Sequence, residues 1–89
     1  MDEYPQSGIY EYYKSTPEFR RYYQVLGVGR HTETDELLVF YIPLYYLSEH
    51  TGPKLQARPL DMFIEDIEHN GKTMPRFAYL GIEIPSKNS

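Results

Sequence analysis

Apolar residues along this chain occur in short runs separated by polar residues, which is typical of β-strands rather than of long helices. Clusters of turn-forming residues separate the runs, and they read Ser-Thr-Pro, Thr-Glu-Thr-Asp, Thr-Gly-Pro and Asn-Gly. Side chains of these types bond the nearby backbone or tolerate a positive φ, so they interrupt regular structure. Turn signals every ten residues or so therefore predict about five or six short strands.

The run over residues 22–31 predicts one long strand. A period of two places its side chains on two faces, the first with Tyr23, Val25, Gly27 and Gly29 and the second with Leu26, Val28 and Arg30. Alternate glycines on one face indicate a close approach of the backbone or strong curvature of the sheet.

A second run over residues 37–46 is apolar on both faces and therefore predicts a central strand. Pro43 lacks an N–H group, so this strand must meet an edge or a bulge there. The polar turn at residues 32–36 joins the two long strands. We expect these strands to pair across it.

Shorter runs predict strands over residues 9–13, 55–58 and 74–84, with Pro75 near the start of the last one. Residues 59–63 predict a single helical turn, because Pro59 presets the first φ. The following segment, 63–69, is anchored by Ile64 and Ile67. A helix over residues 60–68 is the alternative, because Leu60, Phe63, Ile64 and Ile67 fit a spacing of 3.6. Asn70-Gly71 favours a strand, since this pair supplies both positive-φ residues of a tight hairpin turn.

Length restricts the chain to one domain over residues 1–89, with its core at about 8–82 and flexible ends at 1–7 and 85–89, and the pattern of strands and turns makes it all-β. The chain contains no cysteine, which excludes a disulfide framework, a thiol nucleophile and a thiolate zinc site. So short a chain hardly builds two full sheets, and closure removes exposed strand edges. We therefore predict a small closed β-barrel with one short helical turn.

Charge and hydropathy limit the partners. The net charge of −4 disfavours general binding to nucleic acid, although Lys14, Arg20, Arg21 and Arg30 form a basic group early in the chain. The longest apolar run, residues 37–47, is shorter than the ~20 residues of a membrane helix. The first residues are acidic and polar, unlike a secretory signal. We expect a cytoplasmic protein with no membrane partner.

Several segments, in this order and spacing, resemble a known bacterial family: Tyr12-Tyr13-Lys14, Val25 to Val28 followed by His31, Glu33 and Thr34, Leu44-Tyr45, Arg58 to Phe63, Gly71-Lys72 and Pro75 to Phe77. The family is the domain-of-unknown-function family numbered 1653, and the resemblance spans roughly Gly8 to Phe77. It implies a small SH3-like barrel and no established activity. Residues 46–54 and 55–57 depart from the family pattern.

The densest polar cluster lies at residues 31–36. A histidine near carboxylates can act as a general base or bind a metal, but Glu33 and Glu36 fall in a turn that points them into water. We interpret this cluster with His31 as a hairpin turn whose Thr or Asp side chains bond the backbone. His50 and His69 lie in unrelated loops without zinc spacing. We predict no catalytic residue, metal or cofactor.

Tyrosine is the compositional outlier, with ten copies and no tryptophan. Its ring combines an apolar body with a polar tip, so most rings are expected at the boundary of the core and the rest in an aromatic binding surface. Met62 and Phe63 are interpreted as the plug of one barrel end. The candidate ligand-binding residues are Tyr12, Tyr13, His31, Glu33, Glu36, Tyr41, Tyr45, Arg58, Phe63 and Arg76.

Arg58 has two interpretations. It forms a structural ion pair with Asp61, Glu33 or Glu36, which we favour, or it clamps a carboxylate or phosphate of a ligand. We expect the site where Tyr41, Tyr45, His31 and Arg58 meet.

Three functions follow from these features. The first is a non-catalytic module that binds a peptide or protein segment through an aromatic groove. The second is a nucleic-acid-binding small barrel that uses the early basic group with stacking tyrosines. The third is a small-molecule sensor or enzyme centred on His31, Glu36 and Arg58, which requires these side chains to converge in one pocket.

Overall fold

The computed structural model of the chain describes residues 4–45 and 51–84. Within these ranges it contains seven strands and one short helix. In chain order they are β1 (Gly8–Tyr12), β2 (Tyr22–Arg30), β3 (Leu37–Pro43), β4 (Gln56–Pro59), α1 (Leu60–Phe63), β5 (Asp66–His69), β6 (Lys72–Pro75) and β7 (Phe77–Gly81). The predictions for residue 46, for the loop up to residue 50 and for the two ends fall partly or wholly outside the described residues.

Five strands form one antiparallel sheet in the order β4-β3-β2-β1-β7, and β5 and β6 form a separate antiparallel hairpin. The prediction of an all-β fold with one helical turn is confirmed. The prediction of a closed barrel is wrong, because within the described residues β4 and β7 are the two ends of the sheet. Closure fails because β5 and β6 pair with each other and do not bridge those ends.

The predicted pairing of the two long strands is confirmed, with Arg30 opposite Leu37 and Val28 opposite Val39. The second strand is shorter than predicted, since β3 ends at Pro43. The close approach expected at the glycines is present at Gly29, where a Cβ atom would lie 2.8 Å from the Cε1 atom of Phe40. A neighbouring ring, rather than backbone, occupies this space.

A β-bulge in β2 changes which residues face the core. Val25 lies opposite Tyr41 and Gly27 lies opposite Phe40, so Leu26 is the extra residue. An extra residue inverts the alternation of side chains beyond it. Val28 consequently packs against the same core as Tyr23 and Val25, and its predicted place on the opposite face is wrong.

The helical turn and the hairpin after it are confirmed. Asn70 and Gly71 have φ angles of 56° and 78°, as a tight turn between β5 and β6 requires. Ile67 is half-buried, but Ile64 is 53% exposed and does not anchor the segment, because it follows the last helical residue and faces outward. No helix in the described ranges is long and apolar enough to cross a membrane.

The last predicted strand is two strands, because the chain passes from the hairpin to the main sheet at Arg76. The backbone N–H of Arg76 donates to the carbonyl oxygen of Glu65 over 3.1 Å, which holds this bend beside the start of β5. Pro75 therefore ends β6 instead of opening a longer strand. Ile82 lies beyond β7 and is 79% exposed.

The core lies against one face of the main sheet and is rich in aromatic rings. Phe63 of α1 covers this face and is 2% exposed. Its ring stacks on that of Phe77 with centroids 4.4 Å apart and planes 4° apart. Met62 is 43% exposed, so the predicted plug consists of Phe63 without Met62, whose side chain lies on the outer side of the single turn. The buried cluster comprises Tyr10, Tyr23, Val25, Val39, Tyr41, Phe63 and Phe77.

Candidate functional site

A group of five rings joins the core to the surface, and we call it the aromatic cluster: Tyr12, Tyr23, Tyr41, Tyr45 and Phe77. Strand register places these residues together, since Tyr12 lies opposite Phe77 and side chains two residues apart share a face. The ring of Tyr23 is central, with centroids 5.1 Å from Tyr41, 5.5 Å from Tyr45 and 5.3 Å from Phe77. Edge-to-face geometry at these distances is favourable.

The tyrosines of the aromatic cluster differ in exposure. Tyr23 and Tyr41 are buried, whereas Tyr12 and Tyr45 are half-buried and reach the surface. The hydroxyl groups of Tyr23 and Tyr45 share a hydrogen bond of 2.6 Å. Burial and this bond raise the pKa of Tyr23 well above its ordinary value. The Tyr23 hydroxyl is therefore neutral and serves as a hydrogen-bonding group.

Arg58 extends from β4 over the aromatic cluster. It lies opposite Val39 and so shares the core face of the sheet. Its guanidinium carbon is 5.8 Å from the ring centroid of Tyr12 and 5.3 Å from that of Phe77, within cation–π range. Its Nε–H donates to the hydroxyl oxygen of Tyr41 over 2.9 Å, and its Nη1 contacts the Sδ atom of Met62 at 3.7 Å. These acceptors are both neutral.

The structural ion pair favoured for Arg58 is wrong. Among the described residues, no carboxylate lies within ion-pair distance of its guanidinium. The strand register explains this: Arg58 is directed over the core face, whereas Glu33 and Glu36 lie in the turn beyond the end of β2. Asp61 is exposed on α1. The remaining N–H groups of Arg58 have no hydrogen-bond partner in the described part of the chain.

Arg21 is a second cation of the aromatic cluster. Its guanidinium carbon lies 5.2 Å from the ring centroid of Phe19 and 5.7 Å from that of Tyr45. Its backbone N–H donates to the Oγ atom of Ser15, and its carbonyl oxygen accepts from the N–H of Tyr12. Sequence reasoning placed Arg21 only in the early basic group, although its position two residues before Tyr23 is the period-two signal for a shared face.

The residues predicted around His31 form a hairpin turn. The N–H of His31 donates to the carbonyl oxygen of Glu36, and Thr34 Oγ1 accepts from the N–H of Glu36. His31 Nδ1 accepts from the N–H of Glu33. These bonds confirm the interpretation as a turn. Within residues 4–45 and 51–84, no contact joins His31 or Glu36 to Arg58, and no three possible ligands converge on a metal site.

Tyr13 and Arg76 lie beside the aromatic cluster. The ring of Tyr13 contacts those of Tyr12 and His69 at 5.0 and 5.3 Å. Arg76 Nη2 donates to Glu65 Oε1 over 2.9 Å, and this bond raises the pKa of Arg76. Its positive charge is therefore already matched by a carboxylate, in contrast to that of Arg58.

The surface next to Tyr12 and Tyr13 is concave. A shallow cavity of about 230 Å³ lies between these rings, the Glu11–Arg20 ion pair and Pro75. Small recognition sites combine apolar walls with a few polar groups in this way. Of the ten predicted ligand-binding residues, the structure brings together Tyr12, Tyr41, Tyr45, Arg58 and Phe63. Tyr13 and Arg76 lie at the edge of this group. The other three, His31, Glu33 and Glu36, lie apart from it.

Comparison with known proteins agrees with the resemblance seen in the sequence. The family model described as "Protein of unknown function (DUF1653)" matches residues 8–79. A crystal structure of a protein of this family from Bordetella bronchiseptica is similar, with a TM-score of 0.77 and 33% sequence identity over 92% of this chain and 95% of that one. No curated protein matches. The chain therefore belongs to the DUF1653 family.

Proposed function

We propose that this protein is a non-catalytic binding module that takes a peptide or protein segment over the half-buried rings of Tyr12 and Tyr45. The observation that carries the proposal is the state of Arg58. Its guanidinium is held over two rings, bonds only neutral acceptors, and has no carboxylate partner among the described residues.

The unused donors of Arg58 are suited to a polypeptide ligand. A guanidinium has five N–H donors in a fixed plane, and two contacts to protein atoms leave the others for an oxygen acceptor. A bound segment supplies such oxygens from its carbonyl or carboxylate groups. Its side chains can lie against Tyr12, Tyr13 and Tyr45, as in grooves that bind extended peptides. In this proposal the open sheet with its hairpin corresponds to an opened SH3-like barrel.

The sensor or enzyme alternative has less support. It requires His31, Glu36 and Arg58 to converge, yet His31 and Glu36 form the exposed hairpin turn and Arg58 contacts Tyr41. A general base acts only within hydrogen-bond reach of its substrate and partners. The described geometry therefore favours binding over catalysis.

A direct test records amide NMR spectra of the ¹⁵N-labelled protein while a mixed peptide pool is added. We expect resonances of residues near Tyr12, Tyr45 and Arg58 to shift. The variant Arg58→Gln should lose most of these shifts. Arg30→Gln is the matched control, because it removes an exposed guanidinium at the far turn and changes the net charge equally.

Two results would contradict the proposal. One is a wild-type spectrum that no peptide in the pool alters. The other is a set of shifts that persists in Arg58→Gln, provided that the variant retains the wild-type fold by circular dichroism.

A further inference from the structure

We infer that the segment bound at this site is acidic, with one carboxylate at Arg58 and a second at Arg21. This inference rests on the proposed function and names the chemistry of its ligand. It comes from the way in which the five arginines of the chain, all of them in the described ranges, are matched with carboxylates.

Three arginines are already neutralised within the protein. Arg20 pairs with Glu11 at 3.0 Å, Arg76 pairs with Glu65 at 2.9 Å, and Arg30 pairs with Asp35 in the hairpin turn. The pairs of Arg20 and Arg76 lie beside Tyr12, at the edge of the aromatic cluster, and the pair of Arg30 lies in the hairpin turn. The protein has 13 acidic residues against nine Lys and Arg, so a shortage of carboxylates does not explain an arginine without one.

The two other arginines, Arg21 and Arg58, both lie on the aromatic cluster. Neither has an ion-pair partner among the described carboxylates. Each guanidinium instead rests against two rings, at 5.2 and 5.7 Å for Arg21 and at 5.3 and 5.8 Å for Arg58. Such stacking orients the planar group. In Arg58 the Nε–H already bonds Tyr41 and Nη1 contacts Met62, so the N–H groups of Nη2 and the other N–H of Nη1 are left for a carboxylate.

One ring pathway connects the two cations. Tyr45 contacts Arg21 and also Tyr23, and the centroid of Tyr23 is 6.1 Å from that of Tyr12, which Arg58 covers. An extended peptide advances about 3.3 Å per residue. The successive contacts along this pathway measure 5.7, 5.5, 6.1 and 5.8 Å, so two acidic residues several positions apart can reach both cations.

Charge favours an acidic peptide over a nucleic acid. The affinity of a nucleic acid comes from many neutralised phosphates, and this face offers two arginines that lack a carboxylate partner among the described residues, in a protein whose net charge is −4. Two carboxylates match two guanidinium groups one to one. We therefore assign the ligand to acidic polypeptides.

The test compares two blocked peptides, octaglutamate and octaglutamine, by NMR titration and calorimetry at low salt. We expect octaglutamate to shift resonances near Arg21, Tyr45 and Arg58, and octaglutamine to cause no shift. Arg21→Gln and Arg58→Gln should each weaken octaglutamate binding by about tenfold or more, as expected for the loss of a charge-assisted bidentate bond. The control Arg30→Gln should bind within about twofold of wild type.

Other outcomes separate the two proposals. If octaglutamine binds at the same residues as tightly as octaglutamate, the acidic preference is wrong and the peptide-binding function stands. If octathymidylate shifts these resonances and octaglutamate does not, the ligand is a nucleic acid and both proposals are wrong. Should Arg58→Gln fail to fold, Arg21→Gln decides, and unchanged octaglutamate affinity in that variant overturns the two-carboxylate assignment.

Discussion

The Nε–H of Arg58 donates a hydrogen bond to the hydroxyl oxygen of Tyr41 over 2.9 Å. The donor belongs to an end strand of the sheet, β4, and the acceptor to its neighbour β3. This bond connects a charged group at the surface to a buried ring of the core. It therefore couples the stability of the fold to the geometry of the proposed site.

Replacing Tyr41 by Phe should reduce the free energy of unfolding by about 1–2 kcal/mol, because the Nε–H of Arg58 loses its acceptor in a half-buried position. Urea denaturation measures the change. Tyr22→Phe is a matched control, since the Tyr22 hydroxyl has no hydrogen-bond partner among the described residues, and it should stay within about 0.5 kcal/mol of wild type. Equal effects of the two variants would show that the bond does not stabilise the fold.

Phe63→Ala should be the most destabilising of these substitutions, by about 3–5 kcal/mol. The ring is 2% exposed and stacks on Phe77, so truncation leaves a cavity beneath α1. This loss is a large fraction of the stability of a small domain, and we expect a clearly lower midpoint in urea. The adjacent, exposed Ile64 provides the control: Ile64→Ala should cost less than about 1 kcal/mol. A comparable loss in both variants would contradict this view of the core.

Alkaline pH should destabilise the protein through Tyr23. Burial raises the pKa of Tyr23 in the folded state above its ordinary value of 10.0, whereas the unfolded chain releases the proton near that value. Below pH 10 the tyrosine is protonated in both states and stability is unaffected. As pH rises above 10, the unfolded state binds fewer protons, so the free energy of unfolding falls.

Urea denaturation between pH 9 and 12 tests this dependence. Tyr23→Phe should show a shallower decrease above pH 10 than wild type. The pKa values of Tyr10 and Tyr41 are also raised, mainly by burial, so a smaller decrease should remain. An unchanged slope in Tyr23→Phe would refute the assignment.

Gly29→Ala should destabilise the protein by about 1–3 kcal/mol, because the added methyl group would overlap the ring of Phe40, whose Cε1 atom lies 2.8 Å from the new carbon. A double-mutant cycle identifies the cause. In a Phe40→Ala background the ring is absent, and the same substitution should cost less than about 0.5 kcal/mol. A full cost in that background would assign the effect to the backbone instead.

Local features were predictable from the sequence because they depend on neighbouring residues. The hairpin at Asn70-Gly71, the helical turn after Pro59 and the pairing across residues 31–36 follow from turn chemistry and side-chain alternation. The bulge at Leu26 was not predicted, because the glycines at 27 and 29 indicated curvature without specifying which residue would be the extra one. Its consequence, the inward position of Val28, was missed for the same reason.

The candidate site shows the same division. Sequence patterns identified Arg58, Tyr12, Tyr41 and Tyr45 as candidate ligand-binding residues, but they favoured a carboxylate partner for Arg58. The partners of a long side chain depend on which strand faces it across the sheet.

The sequence by itself determined that this protein is an all-β domain with a short helical turn, because short-range alternation and turn residues specify strands and their nearest connections. Only the tertiary structure decided that the sheet stays open and that Arg21, rather than His31, joins Arg58 and the tyrosines. Both outcomes depend on long-range strand register. The bulge at Leu26 and the bend at Arg76 set the course of whole strands and therefore the faces on which their side chains lie.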